Sequence, residues 1–304
     1  MARFTLRQIE YFVAAAEAGS ITLASARIAI SQPAISAAVA GLEAELRTQL
    51  FIRHHAQGLS PTPQGRRLLQ QAKRLLQQAE ELTATAGELA DHVVGLLEIG
   101  CLTTLYPLIL PELLHAFKAR HPAVRMKAIA ADQSGLFERV RGGQIALALT
   151  YDLEIPPDLE FRPLVTVPPF AFVAAGSALA RQPSVSLERL AAEPLLLLDL
   201  PLSREYFVSL FQRAGLAPNI ADRFEHIDVI RSLVARGEGY GLANTPPPNR
   251  RSLDGLKLAY LALEGRQQSL QQGILLPRAA HPTRAVEAFV ELCAMLAGSK
   301  MSGR

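Results

Sequence analysis

The chain has 304 residues, enough for two or three domains with cores of their own, and its 49% hydrophobic and 19% charged content is that of an ordinary globular protein, which excludes a largely disordered polymer. The formal net charge of +3 says little about partners, but residues 1–67 carry seven basic groups (Arg3, Arg7, Arg27, Arg47, Arg53, Arg66, Arg67) against four acidic ones (Glu10, Glu17, Glu43, Glu45), an excess that permits a polyanionic partner. The two cysteines, Cys101 and Cys293, lie far apart without CxxC or metal spacing, which suits a reducing cytoplasm better than a disulfide framework. The longest uncharged run, 163–180, is interrupted by Pro163, Pro168, Pro169 and Gly176 and so forms no spanning helix. Glu10 and Glu17 likewise spoil the short apolar stretch near the amino terminus as a signal-peptide core. A soluble, cytoplasmic protein without a membrane partner is expected.

In chain order, Thr5 caps a helix whose apolar face is Ile9, Phe12, Val13 and Ala16, and Gly19 ends it. Thr22 is expected to cap a short second helix. Ser31 caps a third, with Pro33 tolerated in its first turn and Ile35, Val39, Leu42 and Leu46 as the buried stripe. The tight turn between the last two makes a helix-turn-helix. "LFIRHHAQGLSPTP" then reads as a small β-wing with a basic tip. From Thr62 and Pro63 a longer helix carries Leu68, Ala72, Leu75, Ala79, Leu82, Ala86 and Leu89 in alternating steps of four and three, a 3.5-residue period that predicts a dimerisation seam; the alternative is packing on the chain's own domain.

Beyond about Gly95 strands alternate with helices: "LLEIGCL", a helix near 105–120, "VRMKAIAA", "LFERVRGG" and "IALALTYD". "FAFVAAG", "PLLLLDL", a helix near 205–214, "IADRFEH", a helix near 229–236 and "YGLAN" follow, and the chain returns through "LKLAYLAL" and "QGILLP" to a last helix near 283–296. The pattern predicts two α/β lobes with a cleft at their junction. The expected division is 1–62 for a winged helix-turn-helix, 63–92 for a linker and dimerisation helix, and 93–304 for the two lobes, lobe I being about 93–163 with 268–304 and lobe II about 164–267.

The third helix offers Gln32 and Ser36 on an exposed side. Glutamine can pair with both edge groups of adenine and serine with donor or acceptor edges, while Ser31 at the helix start can sit against a phosphate. On pattern alone a small three-helix core explains these helices as well. The stretches "LRQIEYF", "GSITLASARIAISQPAIS", "LEAELRTQLFIR" and "LSPTPQGRRLL" together resemble the winged helix-turn-helix of the LysR-type transcriptional regulators, and the rest of the chain is similar in order and length to that family's linker helix and two-lobed effector domain, itself similar to periplasmic binding proteins. The resemblance implies an α/β protein that acts as a homodimer or homotetramer, binds double-stranded promoter DNA, responds to a small-molecule effector, works with RNA polymerase and has no cofactor. It places Gln32, Pro33 and Ser36 in the major groove, Arg53 in the wing beside the minor groove, and Thr22 and Ser31 on phosphate. Ala37 stands where the family often has a basic residue, so fewer base contacts are expected. His54 and His55 at the wing either touch phosphate or are solvated.

Other motifs carry less. "GEGYG" at 237–241 follows a helix and precedes a strand, the reverse of a dinucleotide loop. The histidines lack metal spacing, no GxSxG occurs, and no metal is expected. Cys101 reads as a sensor thiol or, better, as a small buried hydrophobe. An exported solute-binding protein would share the cleft but not the first ninety residues. An enzyme would need Asp152, Asp199 and His226 brought together from separate segments. In the resembled family the effector sits against strand-to-helix turns, whose polar residues here are Thr103, Thr104, Gln133, Ser134, Thr150, Tyr151, Ser203, Arg204, His226 and Asn244. Hydroxyls at helix starts suit a small anion, with Arg204 supplying the charge-assisted contact.

Overall fold

The computed structural model describes residues 4–54, 58–87, 93–278 and 282–302, and the chain divides near Gly95 into two compact units. The first begins with α1 (Leu6–Ala18), closed at its start by a reciprocal cap in which Gln8 N–H donates to Thr5 Oγ1 at 3.2 Å and Thr5 N–H to Gln8 Oε1 at 2.8 Å. Ser20, not Thr22, caps α2 (Ile21–Ile28): Leu23 N–H reaches Ser20 Oγ at 3.4 Å, because the helix starts directly behind Gly19. Ser31 stands at the N-cap of α3 (Gln32–Leu46) without a side-chain capping bond, and Arg47 in the left-handed region ends that helix. Ile9, Phe12, Ala15, Ala24, Ile35, Val39 and Leu42 form the core among the three helices.

An antiparallel wing of β1 (Phe51–His54) and β2 (Gly58–Pro61) follows. Its root is fixed by Glu43 of α3, whose Oε1 accepts from Leu50 N–H at 2.7 Å and Phe51 N–H at 3.2 Å. Gly58 has φ of +93° and lies so near the end of α1 that an added Cβ would come within 2.4 Å of the Gly19 carbonyl oxygen. Thr62 then caps α4 (Pro63–Gly87), accepting from Gly65 N–H at 2.9 Å. Ala72 of α4 is 2% exposed within the three-helix core, and Leu68 and Leu75 pack half-buried against it.

The second unit holds two sheets. β3 (Gly95–Leu102), β4 (Val124–Ala131), β5 (Leu147–Tyr151), β6 (Leu159–Val167) and β13 (Leu270–Pro277) form the first in the order β4-β3-β5-β13-β6, with β13 antiparallel to both neighbours. The second has the order β10-β9-β11-β7-β12-β8, from β7 (Phe170–Ala174), β8 (Ser184–Val185), β9 (Leu195–Leu198), β10 (Ile220–Phe224), β11 (Tyr240–Ala243) and β12 (Leu258–Leu263). Helices α5 (Tyr106–Arg120), α6 (Gln133–Arg141) and α10 (Arg284–Ser302) pack on the first lobe, and α7 (Leu187–Ala191), α8 (Ser203–Arg213) and α9 (Ile227–Ala235) belong to the second.

The chain crosses between lobes at Pro168–Pro169 and again at 264–269, so the first crossing lies beyond the expected 163/164. Pro163 interrupts nothing: it sits opposite Gly273 beside a register shift, on the edge strand β6, where a residue without an N–H is tolerated. No single helix among the described residues is long and apolar enough to cross a membrane.

Candidate DNA-binding surface and effector cavity

On the helix-turn-helix, Ile35, Val39 and Leu42 turn α3 inward while Ser31, Gln32, Pro33 and Ala37 are exposed and Ser36 is half-buried. Thr22 of α2 is also exposed, and its hydroxyl donates to Gln32 Oε1 at 3.2 Å. This bond ties the glutamine side chain across the two helices, so part of its rotamer freedom is already spent in the free protein. Arg27 and Lys73 both pair with Glu17, at 3.1 and 2.6 Å, so the two cations share one carboxylate within the unit. Arg53 and His54 lie on β1 opposite Leu59 and Gly58; their side chains, and His55 altogether, are outside the described residues.

Between the lobes of the second unit lies a cavity of about 60 Å³. At roughly 10–15 Å³ per water position this is room for about five waters, a space for a compact ligand. Lobe I contributes Thr104, Pro107, Leu108, Tyr151 and Leu153; lobe II contributes Phe172, Leu198, Ser203, Tyr206, Phe207, Asp228, Arg231, Asn244 and Thr245. The walls are joined by hydrogen bonds. The Tyr151 and Thr245 hydroxyls lie 2.7 Å apart, Tyr206 O–H donates to the Gln268 carbonyl at 2.7 Å, and Asn244 Nδ2 donates to Tyr206 Oη at 2.9 Å and to the Val167 carbonyl at 3.2 Å. Burial pushes the Tyr206 phenol up to about 12 and raises Tyr151 as well, so both remain protonated at neutral pH.

Arg231 is the buried cation of this wall, 6% exposed, with its guanidinium 6.0 Å from the Phe172 ring centre and 5.7 Å from that of Tyr260. A second, wider groove of about 1000 Å³ adjoins the cavity through Leu108, Asn244, Thr245 and Pro247.

Residues 6–66 match the bacterial regulatory helix-turn-helix protein family, lysR type, and residues 90–297 match the LysR substrate binding domain. The chain belongs to the LysR family of transcriptional regulators. The HTH-type transcriptional regulator TfdS of Cupriavidus pinatubonensis is 32% identical over 241 residues, covering 78% of this chain and 81% of its own. Among solved structures, the LysR family regulator HinK of Pseudomonas aeruginosa is 35% identical with a TM-score of 0.65, covering 97% of this chain and 99% of its own. Full-length CbnR, solved with its target DNA, has a TM-score of 0.67 at 23% identity over 96% of this chain and 99% of its own, a likeness of fold alone.

In this LysR-family regulator the sequence-predicted effector residues separate into groups. Thr104, Tyr151, Ser203 and Asn244 line the cavity. Gln133 and Thr150 are buried against each other, and Gln133 Nε2 donates to the Tyr151 and Leu153 carbonyls at 2.9 and 3.1 Å, so they brace the wall without forming it. Thr103, Ser134 and His226 do not line the cavity: Thr103 N–H is bonded to the Ala131 carbonyl, and Ser134 and His226 are exposed.

Arg204 does not line it either. Its guanidinium is held by Asp199 at 2.5 Å and Glu205 at 2.6 Å, and the hydrogen bonds it donates to Glu205 and then Asp199 raise its pKa above the ordinary range. The enzyme reading gains nothing, since Asp199 serves Arg204 and Asp152 accepts from Gln271 N–H at 2.7 Å. Sequence reasoning missed Arg231 and Asp228. The signal was present, a single arginine within the apolar run "IDVIRSLVA", where a charge on a core-facing helix stripe asks for a partner.

Of the predicted dimerisation residues, Ala72 is committed to the core of its own domain and Leu68 and Leu75 pack half-buried on it. Ala79, Leu82 and Ala86 lie further along α4, and Leu89 is outside the described residues.

Proposed function

We propose that this LysR-family regulator binds promoter DNA through α3 and the β1–β2 wing as a homodimer or homotetramer in the cytoplasm, and that a small molecule in the inter-lobe cavity changes its DNA affinity without being turned over. Gln32, Pro33 and Ser36 face base edges in the major groove, Thr22 and Ser31 hold phosphate, and Arg53 with His54 brings the wing to the minor groove side. The observation that supports this reading is the Thr22–Gln32 bond on the exposed face of a helix whose other face is buried: it holds the Gln32 amide on the solvent side, open to a partner. The dimer is formed through Ala79, Leu82 and Ala86 of α4 together with Leu89 beyond it in sequence, and bound RNA polymerase is the regulated partner.

Gel shifts on the promoter fragments that the purified protein retains test the DNA assignment. Gln32→Ala should lose about 1–3 kcal/mol of discrimination between the retained site and a mismatched one, whereas Arg53→Ala should weaken all sequences alike and lower the salt slope by about one. Full sequence discrimination in Gln32→Ala would remove α3 from the readout.

A further inference from the structure

On the reading that the inter-lobe cavity takes the effector, we propose that the ligand is a compact zwitterion, with a carboxylate for Arg231 and an ammonium group for Asp228. Both residues line the cavity from α9, three positions apart. Arg231 is 6% exposed, yet every acceptor that holds it is neutral: the Tyr260 hydroxyl at 2.8 Å from Nη1, and the Arg251 and Asn249 carbonyls at 2.7 and 3.3 Å from Nη2. The Asp228 carboxylate stands 3.9 Å from Nε, beyond hydrogen-bond reach, and its own side chain is 47% exposed. Nε–H has no acceptor among the described residues. The guanidinium is hydrogen-bonded only to neutral oxygens, and Asp228 balances its charge at 3.9 Å without occupying Nε–H, which leaves that donor for the carboxylate of an incoming ligand.

Asp228 decides which anion. A simple carboxylate seated at Arg231 would lie beside a like charge, and a simple amine seated at Asp228 would lie beside the guanidinium, because the two wall charges are only 3.9 Å apart. A ligand carrying both signs satisfies each, and the wall's net charge of zero then matches its own. Phe172 and Phe207 give the remaining surface an apolar character, and the cavity's own volume of about 60 Å³ suits a compact head group.

Calorimetric titration of the full-length protein with the twenty standard amino acids tests this. Each one that binds is followed by the carboxylate lacking its amine and the amine lacking its carboxylate. At least one amino acid should bind, and both truncated compounds should bind about tenfold more weakly or worse. Asp228→Asn should weaken the amino acid and at the same time tighten the des-amino carboxylate, a crossing of affinities that a merely structural role would not produce. Arg231→Gln should weaken both, and Arg204→Ala should change neither.

If Arg231→Gln does not fold, the exposed Asp228 position carries the test alone. The proposal is overturned if no amino acid binds, if a des-amino carboxylate binds as tightly as its parent, or if Asp228→Asn leaves their ratio unchanged. A non-zwitterionic compound that binds and shifts DNA affinity would overturn the zwitterion but keep the effector site. If no compound of any charge class shifts DNA affinity, the effector reading itself falls.

Discussion

Cys101 and Cys293 are both buried, and burial pushes both thiols up, Cys293 to about 12 and Cys101 upward with a second contribution from Cys293. Since the thiolate is the reactive form, neither side chain is a nucleophile at neutral pH. In native protein at pH 8 a disulfide reagent should therefore label neither cysteine in the time a free thiol reacts fully, and should label both in denaturant; rapid native labelling at Cys101 would restore the sensor reading. Folded pKa values above the unfolded value of about 8.5 mean that the stability held by these thiols is intact below that pH and is lost as pH climbs toward the folded values. The sequence left two readings for Cys101 because a single position does not report which side of a strand is covered. It misplaced the cavity's cation for a related reason. Arg204 stands at a helix start and looks available, but Asp199, five residues earlier, and its neighbour Glu205 take both ends of its guanidinium. Arg231 sits where an apolar residue is expected, and only the fold brings the Tyr260 hydroxyl and the carbonyls of Asn249 and Arg251 to it.

Elements were legible where a strong period or a cap specified them. The Thr5 cap, the wing and the strand "VRMKAIAA" all fall where residue pattern places them, and β6 was missed because Pro163 reads as a breaker unless the strand is known to be an edge. The α4 seam shows what periodicity leaves open. A 3.5-residue repeat states that one face is buried, not by what, and the first part of this face is covered by the chain's own helices around Ala72. Two substitutions separate the roles. Leu75→Glu places a charge against the helix-turn-helix core and should lower the stability of that unit by about 1–3 kcal/mol, seen as a lower thermal midpoint. Leu82→Glu should leave that midpoint within error and release smaller species in light scattering. An unchanged oligomer in Leu82→Glu would move the interface off α4.

At the scale of the whole molecule, the two-lobed architecture follows from alternating strands and helices, but the bonds that join the lobes do not. Tyr151 and Thr245 are 94 residues apart, and Asn244 lies 77 residues from Val167. No local pattern pairs hydroxyls across such a distance. These bonds hold the lobes in the arrangement seen, so a ligand that fits this closed cavity works in the same direction as the Tyr151–Thr245 contact. Effector binding can alter DNA affinity only by the difference in its affinity for two conformations, an expected coupling of about 1–3 kcal/mol, and the coupling must be reciprocal. The ratio of DNA affinities with and without a cavity ligand should thus equal the ratio of ligand affinities with and without promoter DNA. Tyr151→Phe removes one closed-state hydrogen bond, a loss of about 1 kcal/mol, and should weaken the ligand about fivefold. It should also move the unliganded protein's DNA affinity in the direction opposite to that produced by the ligand, because the same closed arrangement is disfavoured. Thr245→Val removes the other partner, and the double variant should show no further loss beyond either single one. A Tyr151→Phe protein whose unliganded DNA affinity shifts in the same direction as ligand drives it would show that the ligand opens the lobes, and the closed cavity would then be the state without effector.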